Sequence, residues 1–251
     1  MKPRRAFLAY AGFFISVLVA WELVIHVGHL PPVVMPSPAS VWDVLTTRSG
    51  ELAYHAAVTA GEALAGYALA NALALVLALS FIWLPPMEAV LGPWAVVIKN
   101  VPFVSVASIL LITLGDNLAP KLLIVVLVCF FPLLANLVKG LRAAEPVLLD
   151  RMRVLSASRG QIFRKVLWPA AVPYYLAAHE TAFTGSIVAA IVAEWFFARK
   201  GLGYLIVQAT VDYRGDLLYA VNAVAAAMAL GAYFSCKLAE RWLLRWQRPL
   251  T

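Results

Sequence analysis

EPVLLDRMRVLSASRGQIFRKVLWPAAVPYY, residues 145–175, is the one polar and strongly basic island long enough to interrupt an otherwise apolar chain. Leu148, Leu149, Met152 and Leu155 recur at the spacing of one helical face, and Ile162, Phe163, Val166 and Leu167 do so again after a break. The pattern predicts two short amphipathic helices. Between them Ser156 and Ala157 are small, and Ser158 followed three residues later by Gln161 forms a capping box for the second helix. That helix is expected to stop before Pro169. Arg151, Arg153, Arg159, Arg164 and Lys165 occupy the other faces, so the apolar stripe must meet a partner while the basic side stays wet. Such a stripe suits the cleft of a docking protein. It equally suits two helices lying on lipid with their cations at anionic headgroups.

On either side of the island the chain is membrane-like, with 63% hydrophobic and 13% charged residues among 251. The net charge of +7 does not point to nucleic acid, because basic residues clustered between apolar spans report membrane topology. Lys2, Arg4 and Arg5 precede an apolar run reaching Val27, about the 20 residues a bilayer needs, with no clear cleavage site after it. It is expected to be a retained first span rather than a signal peptide. Pro31, Pro32, Pro36 and Pro38 forbid a continuous helix before a short segment beginning near Ser40, which forms an outer connector.

Further spans are expected at about 56–84, 94–114, within the fourth apolar run ending before Lys139, at about 170–197 and at about 217–238. Pro85 and Pro86 mark an inner turn, while Gly115, Asp116 and Asn117 mark an outer one. Fourteen of the twenty Lys and Arg residues, including Lys2 and Arg248, fall on the side of the island in this threading. The expectation is an all-α integral membrane protein of six transmembrane helices with both termini cytoplasmic. It divides into residues 1–50, a first helix and outer connector, and a core domain of residues 51–251 carrying a cytoplasmic loop at 143–168.

The island resembles the cytoplasmic signature of the integral membrane permeases of ATP-binding-cassette importers, commonly written EAA, three residues, Gly, then a downstream Ile and Pro. Asp150, Arg151, Met152, Ser156, Ile162 and Pro169 stand in those places, with Ser156 where the family carries glycine. GDNLAPKLLIVVLVCFFPLLANLVKGLR (115–142) and AEWFFARKGLGYLI (193–206) extend the similarity, which is greatest to the sulfonate, nitrate, taurine and thiamin-precursor branch. The resemblance implies the type I importer permease fold, two ATPase subunits, a second copy of the permease, and a periplasmic or lipid-anchored solute-binding protein. It implies a bacterial cytoplasmic (inner) membrane location. It also makes Asp150, Leu155, Ser156, Ala157, Ile162, Phe163 and Pro169 the ATPase-coupling residues, and favours docking over a lipid-surface role for the island.

None of the seven lysines follows a glycine, so the phosphate-cradling G-x-x-x-x-G-K-[ST] is absent. The chain is expected to be no enzyme and to bind no cofactor, with ATP and Mg used by the partner ATPase. Cys129 and Cys236 lie in apolar runs and suggest neither a disulfide framework nor a metal site.

Charges inside spans are costly and face an interior or a cavity, which singles out Glu62, Lys99 and Glu180, with His179 beside the last. These are the candidate translocation-pathway residues, and their bland alternative is interhelical pairing, Glu180 with Lys99 being the expected couple. The oxyanion-importing relatives usually carry basic residues where Glu62 and Glu180 stand. This change of sign leans towards a neutral or cationic solute such as a nitrogen heterocycle. Glu194, Gly201 and Gly203 resemble the family's outer segment and are expected near an outer gate, although such glycines also serve simple chain reversal. The rival reading is a proton- or cation-coupled secondary transporter using Glu62 and Glu180; a third is a membrane scaffold.

Overall fold

A computed structural model describes residues 3–115, 117–196 and 198–245, with side chains among these except for 3–11 and 111. Lys2, Asp116, Phe197 and Arg248 lie outside the described residues. Every regular element described is a helix. In chain order they are α1 (Pro3–Gly28), α2 (Pro38–Thr47), α3 (Ser49–Trp83), α4 (Pro85–Lys99), α5 (Phe103–Leu114), α6 (Leu118–Arg142), α7 (Pro146–Val154), α8 (Arg159–Ile162), α9 (Trp168–Glu194), α10 (Leu202–Val211) and α11 (Gly215–Leu243).

The helix α6 sits at the centre, packed between α3 and α9. Ala63, Gly66, Ala70, Ala74 and Ala78 recur at three- and four-residue spacing along α3 and are all buried. A Cβ added at Gly66 would stand 2.5 Å from the Val125 Cβ, so only glycine permits this approach of α3 to α6. On the other side Ala171, Ala178 and Ala182 of α9 are buried, and the Cys129 thiol donates to the Ala182 carbonyl at 3.1 Å. With lipid as apolar as leucine, close packing of small residues rather than water exclusion holds such a bundle together.

Four helical stretches are long and apolar enough to cross a membrane: α3, α6, 159–194 and α11. A fifth results if α4 and α5 are taken as one broken span. The expected continuous third span is therefore corrected. It is two helices bent by 88°, because Pro102 lacks an N–H and disfavours helical backbone at the residue before it. The first helix spans 26 residues, and its stretch Gly12–Gly28 is a shorter apolar helix. It is tied to the rest where the Trp21 indole donates to the Pro36 carbonyl at 3.1 Å and packs on Tyr219. Ser37 caps α2 by accepting from the Ser40 N–H at 3.2 Å, and Pro38 opens that helix.

The expected stop before Pro169 is also corrected. Residues 163–167 form a π-helical turn in which the Trp168 N–H donates to the Phe163 carbonyl five residues back, and the chain runs without a break into α9. Widening the turn accommodates the proline ring that a regular helix would press against a carbonyl. The end of the bundle near α7 and α8 is called the island end below, and the end near α2 and α10 the opposite end.

Candidate functional site

At the island end, α7 ends at Val154 and the chain reverses through Ser156, whose φ is +53°. That is left-handed backbone, which glycine adopts freely and other residues rarely do. The Ser158 side chain accepts from the Gln161 N–H while Gln161 accepts from the Ser158 N–H at 2.8 Å, so the anticipated capping box is present. Ala157, half-buried, donates its N–H to the Met152 carbonyl at 2.9 Å and closes the turn.

The anticipated apolar face is split. Leu149 and Met152 turn partly inwards, whereas Leu155 is 75% exposed and is joined by Val154 at 84% and Val147 at 60%. Asp150 lies beside this outward patch and pairs with Arg153 at 3.0 Å, both exposed. Phe163 faces the bundle instead, its ring against Trp83 and Trp168 at centroid distances of 6.1 and 6.0 Å. Ile162 is half-buried, and Pro169 is half-buried in the first turn of α9. The first group thus offers a surface, and the second anchors it to the bundle.

The ionisable residues inside the helices are brought into pairs that sequence reasoning did not name. The Glu62 carboxylate accepts from the Lys121 ammonium at 3.0 Å, with both side chains buried. Glu180 pairs with Lys237 at 2.5 Å, so the expected Glu180–Lys99 couple is corrected. Lys99 is exposed and stands over the Phe131 ring, 4.9 Å from its centroid. Length explains the miss: α11 lies beside α9 for much of its course, and a lysine near its island end reaches back to Glu180. His179 meets the Tyr67 hydroxyl and packs edge-on to the Tyr175 ring at 4.2 Å. Tyr175 donates to Asn71 at 2.5 Å. Tyr67, His179, Phe183 and Cys236 line a cavity of about 240 Å³ between α3, α9 and α11.

At the opposite end Glu194, 1% exposed, organises the loop between α9 and α10. Its carboxylate accepts from the Thr59 hydroxyl and from the Gly203 N–H, each at 2.7 Å. The Thr59 oxygen accepts in turn from the Leu202 N–H at 2.9 Å, and the His55 ring accepts from the Gly201 N–H at 2.9 Å. A carboxylate and a hydroxyl therefore satisfy the orphan amides that open α10. Gly201 has φ +108°, and a Cβ there would lie 2.1 Å from the Glu194 carboxylate. One at Gly203 would lie 2.2 Å from the Ile191 carbonyl. Both glycines are required by close approach as well as by the turn. Beside this loop Glu62, Asn117, Lys121, Arg199 and Lys200 line a cavity of about 570 Å³.

Residues 70–249 match the family described as binding-protein-dependent transport system inner membrane component. The chain belongs to that family. It is a permease subunit of an ATP-binding-cassette importer. A probable ABC transporter permease protein of Haemophilus influenzae is 31% identical over 227 residues, covering 90% of this chain and 91% of the relative. The formylaminopyrimidine transport permease protein ThiX of Halalkalibacterium halodurans is 25% identical and spans 99% of both chains. A solved structure titled as an amino acid ABC transporter with histidines superposes with a TM-score of 0.65 at 19% identity, covering 78% of this chain and 96% of that one. That likeness bears out an all-α fold shared with an ABC transporter.

In this permease Ser156, expected from the resemblance at the signature's glycine position, has left-handed backbone of the kind glycine adopts freely. Sequence reasoning missed Lys121 and Lys237 because both sat near predicted span ends. It also missed His55 and Thr59, although with Glu62 they stand four and three residues apart on one face of an apolar helix.

Proposed function

We propose that this permease works as one of two copies in a complex with two cytoplasmic ATPase subunits and an external solute-binding protein in a bacterial cytoplasmic membrane. In this scheme α1 and the broken α4–α5 pair bring the spans to six, and both termini and the island lie in the cytoplasm. Residues 1–50 then form a first helix and outer connector, and residues 51–251 the core. The observation that carries this reading is the outward patch of Val147, Val154 and Leu155 on a loop otherwise rich in arginine, an apolar surface that a cleft in the ATPase would bury. ATP and Mg belong to that partner.

Solute crosses between the copies. The lean towards a cation loses much of its electrostatic basis, because Lys121 offsets Glu62 and Lys237 sits between Glu180 and Glu240. A neutral nitrogen heterocycle remains the favoured class. Support comes from the Tyr67, Tyr175, His179 and Phe183 cluster, whose rings suit a flat aromatic solute, and from the relative named for formylaminopyrimidine. Glu194, Gly201 and Gly203 hold the outer segment of the gate.

Uptake into vesicles tests the scheme. Replacing the Walker lysine of the partner ATPase should abolish uptake with the proton gradient intact. Uptake that survives this change but is lost to an ionophore would instead establish the cation-coupled alternative.

A further inference from the structure

At the island end, α7 and α8 do not lie flat against the bundle. Trp83, where α3 ends, together with Leu149, Ile162 and Leu167, walls a cavity of about 410 Å³ under the island, and Arg153 and Arg159 also line it. Its composition is two-part: an apolar wall continuous with the spanning helices, and two guanidinium groups. Arg153 stands one helical turn from Leu149 and lines this cavity, whereas Val147, Val154 and Leu155 line the outward patch. The Arg153 bond to Asp150 is an exposed pair, 71% and 69% open, and holds it only weakly.

A ligand fitting both parts must carry an anionic group for the arginines and an apolar stem for the wall. A free anion would leave the apolar wall wet. A protein partner would need an acidic residue beside a long apolar chain at membrane depth. A phospholipid with an anionic headgroup supplies both, from the leaflet that the spanning helices already border. Planar guanidinium groups bind phosphate oxygens in a forked geometry that lysine does not offer. We propose that this cavity is an anionic-phospholipid site, with the headgroup phosphate held by Arg153 and Arg159 and the upper acyl chain against Trp83, Leu149, Ile162 and Leu167. The site rests on the cytoplasmic placement of the island given above. The lipid would thereby brace the underside of the coupling loop against the end of α3.

The test uses the full transporter complex purified from its membrane and reconstituted in nanodiscs of phosphatidylglycerol and phosphatidylcholine. Native mass spectrometry counts the phosphatidylglycerol retained per permease. The Arg153→Gln, Arg159→Gln double variant should retain phosphatidylglycerol at least about tenfold less well, since each cation near a membrane surface contributes on the order of a tenfold preference or somewhat less. Lys165→Gln, which removes a charge from the same island outside the cavity, should leave retention unchanged. Equal loss in both variants, or no loss in the double variant, would overturn the site. So would absence of retained lipid in the complex when the permease without its ATPase retains it, because the ATPase would then be the occupant. Retention is read without transport, so a failure of the transport scheme leaves this measurement standing.

Discussion

Glu62 and Lys121, 59 positions apart in the chain, meet at 3.0 Å with side chains 7% and 4% exposed. The second oxygen of Glu62 has no hydrogen-bond partner among the described residues, so the lysine carries the compensation of that carboxylate. Removing the lysine leaves the buried Glu62 carboxylate without the ammonium that compensates it, at a cost of roughly 3–5 kcal/mol. Lys121→Met is expected to lower the unfolding temperature in detergent strongly, Glu62→Gln less so, and the double variant to recover much of the Lys121→Met loss. Strictly additive losses would show that the two residues act separately.

The outer loop gives a steric prediction. Gly203→Ala drives a methyl into the Ile191 carbonyl, and Gly201→Ala drives one into the Glu194 carboxylate at a φ that disfavours any side chain. Both should destabilise by more than about 1 kcal/mol and depress uptake, measured as melting temperature and initial rate. Gly231→Ala, inside α11 with open space around the position, is the control and should be neutral to slightly stabilising.

For energy coupling the exposure of each residue decides the outcome. Leu155→Asp and Val154→Asp place a charge on an already exposed patch, so folded yield should hold while copurification of the ATPase is lost. Ile162→Asp puts a charge at the half-buried wall beside Trp83 and should lower the yield itself. Unchanged ATPase recovery in Leu155→Asp would remove the patch from the interface.

Ser156 is the fourth case. Its φ of +53° costs a non-glycine residue about 1 kcal/mol, so Ser156→Gly should be neutral to stabilising and keep the ATPase bound. Ser156→Val, with a branched side chain at the same backbone angle, should loosen the loop and weaken copurification.

Local chemistry was legible in the sequence, and long-range pairing was not. The Ser158–Gln161 capping box, the connector before α2 and the small-residue stripe on α3 each depend on residues within a few turns of one another, and each is present. The π turn at Phe163–Leu167 escaped notice because proline reads as a helix stop, while a widened turn lets the helix continue. Hydrophobic length placed α3, α6, α9 and α11, but it carries no information on which lysine reaches which carboxylate. Those partners follow from helix packing: α11 against α9 gives Lys237 to Glu180, and α6 against α3 gives Lys121 to Glu62. The outward half of the island depended on how α7 is rotated about its own axis, which a face of four apolar residues left open.

Glu180 and Lys237 supply the last prediction, because pairing and passage lining call for different outcomes. The two atoms lie 2.5 Å apart with side chains 28% and 35% exposed, and Lys237 also donates to Glu240 at 3.0 Å. A pair this open to solvent contributes little to stability, so Glu180→Gln should fold well and keep partial uptake. Glu180→Arg sets a cation against Lys237 and should lower both yield and uptake. If pairing is the whole role, adding Lys237→Glu to Glu180→Arg restores the couple in reverse and should recover both. If Glu180 also lines the passage next to His179, the swapped pair should recover yield but not uptake, since the charge met by the solute has changed sign. Lys99→Gln should rescue none of these variants, because Lys99 lies over Phe131 and not at Glu180. Yield by fluorescence-detected gel filtration and uptake in vesicles separate the cases, and normal uptake in Glu180→Arg alone would take this carboxylate out of the passage.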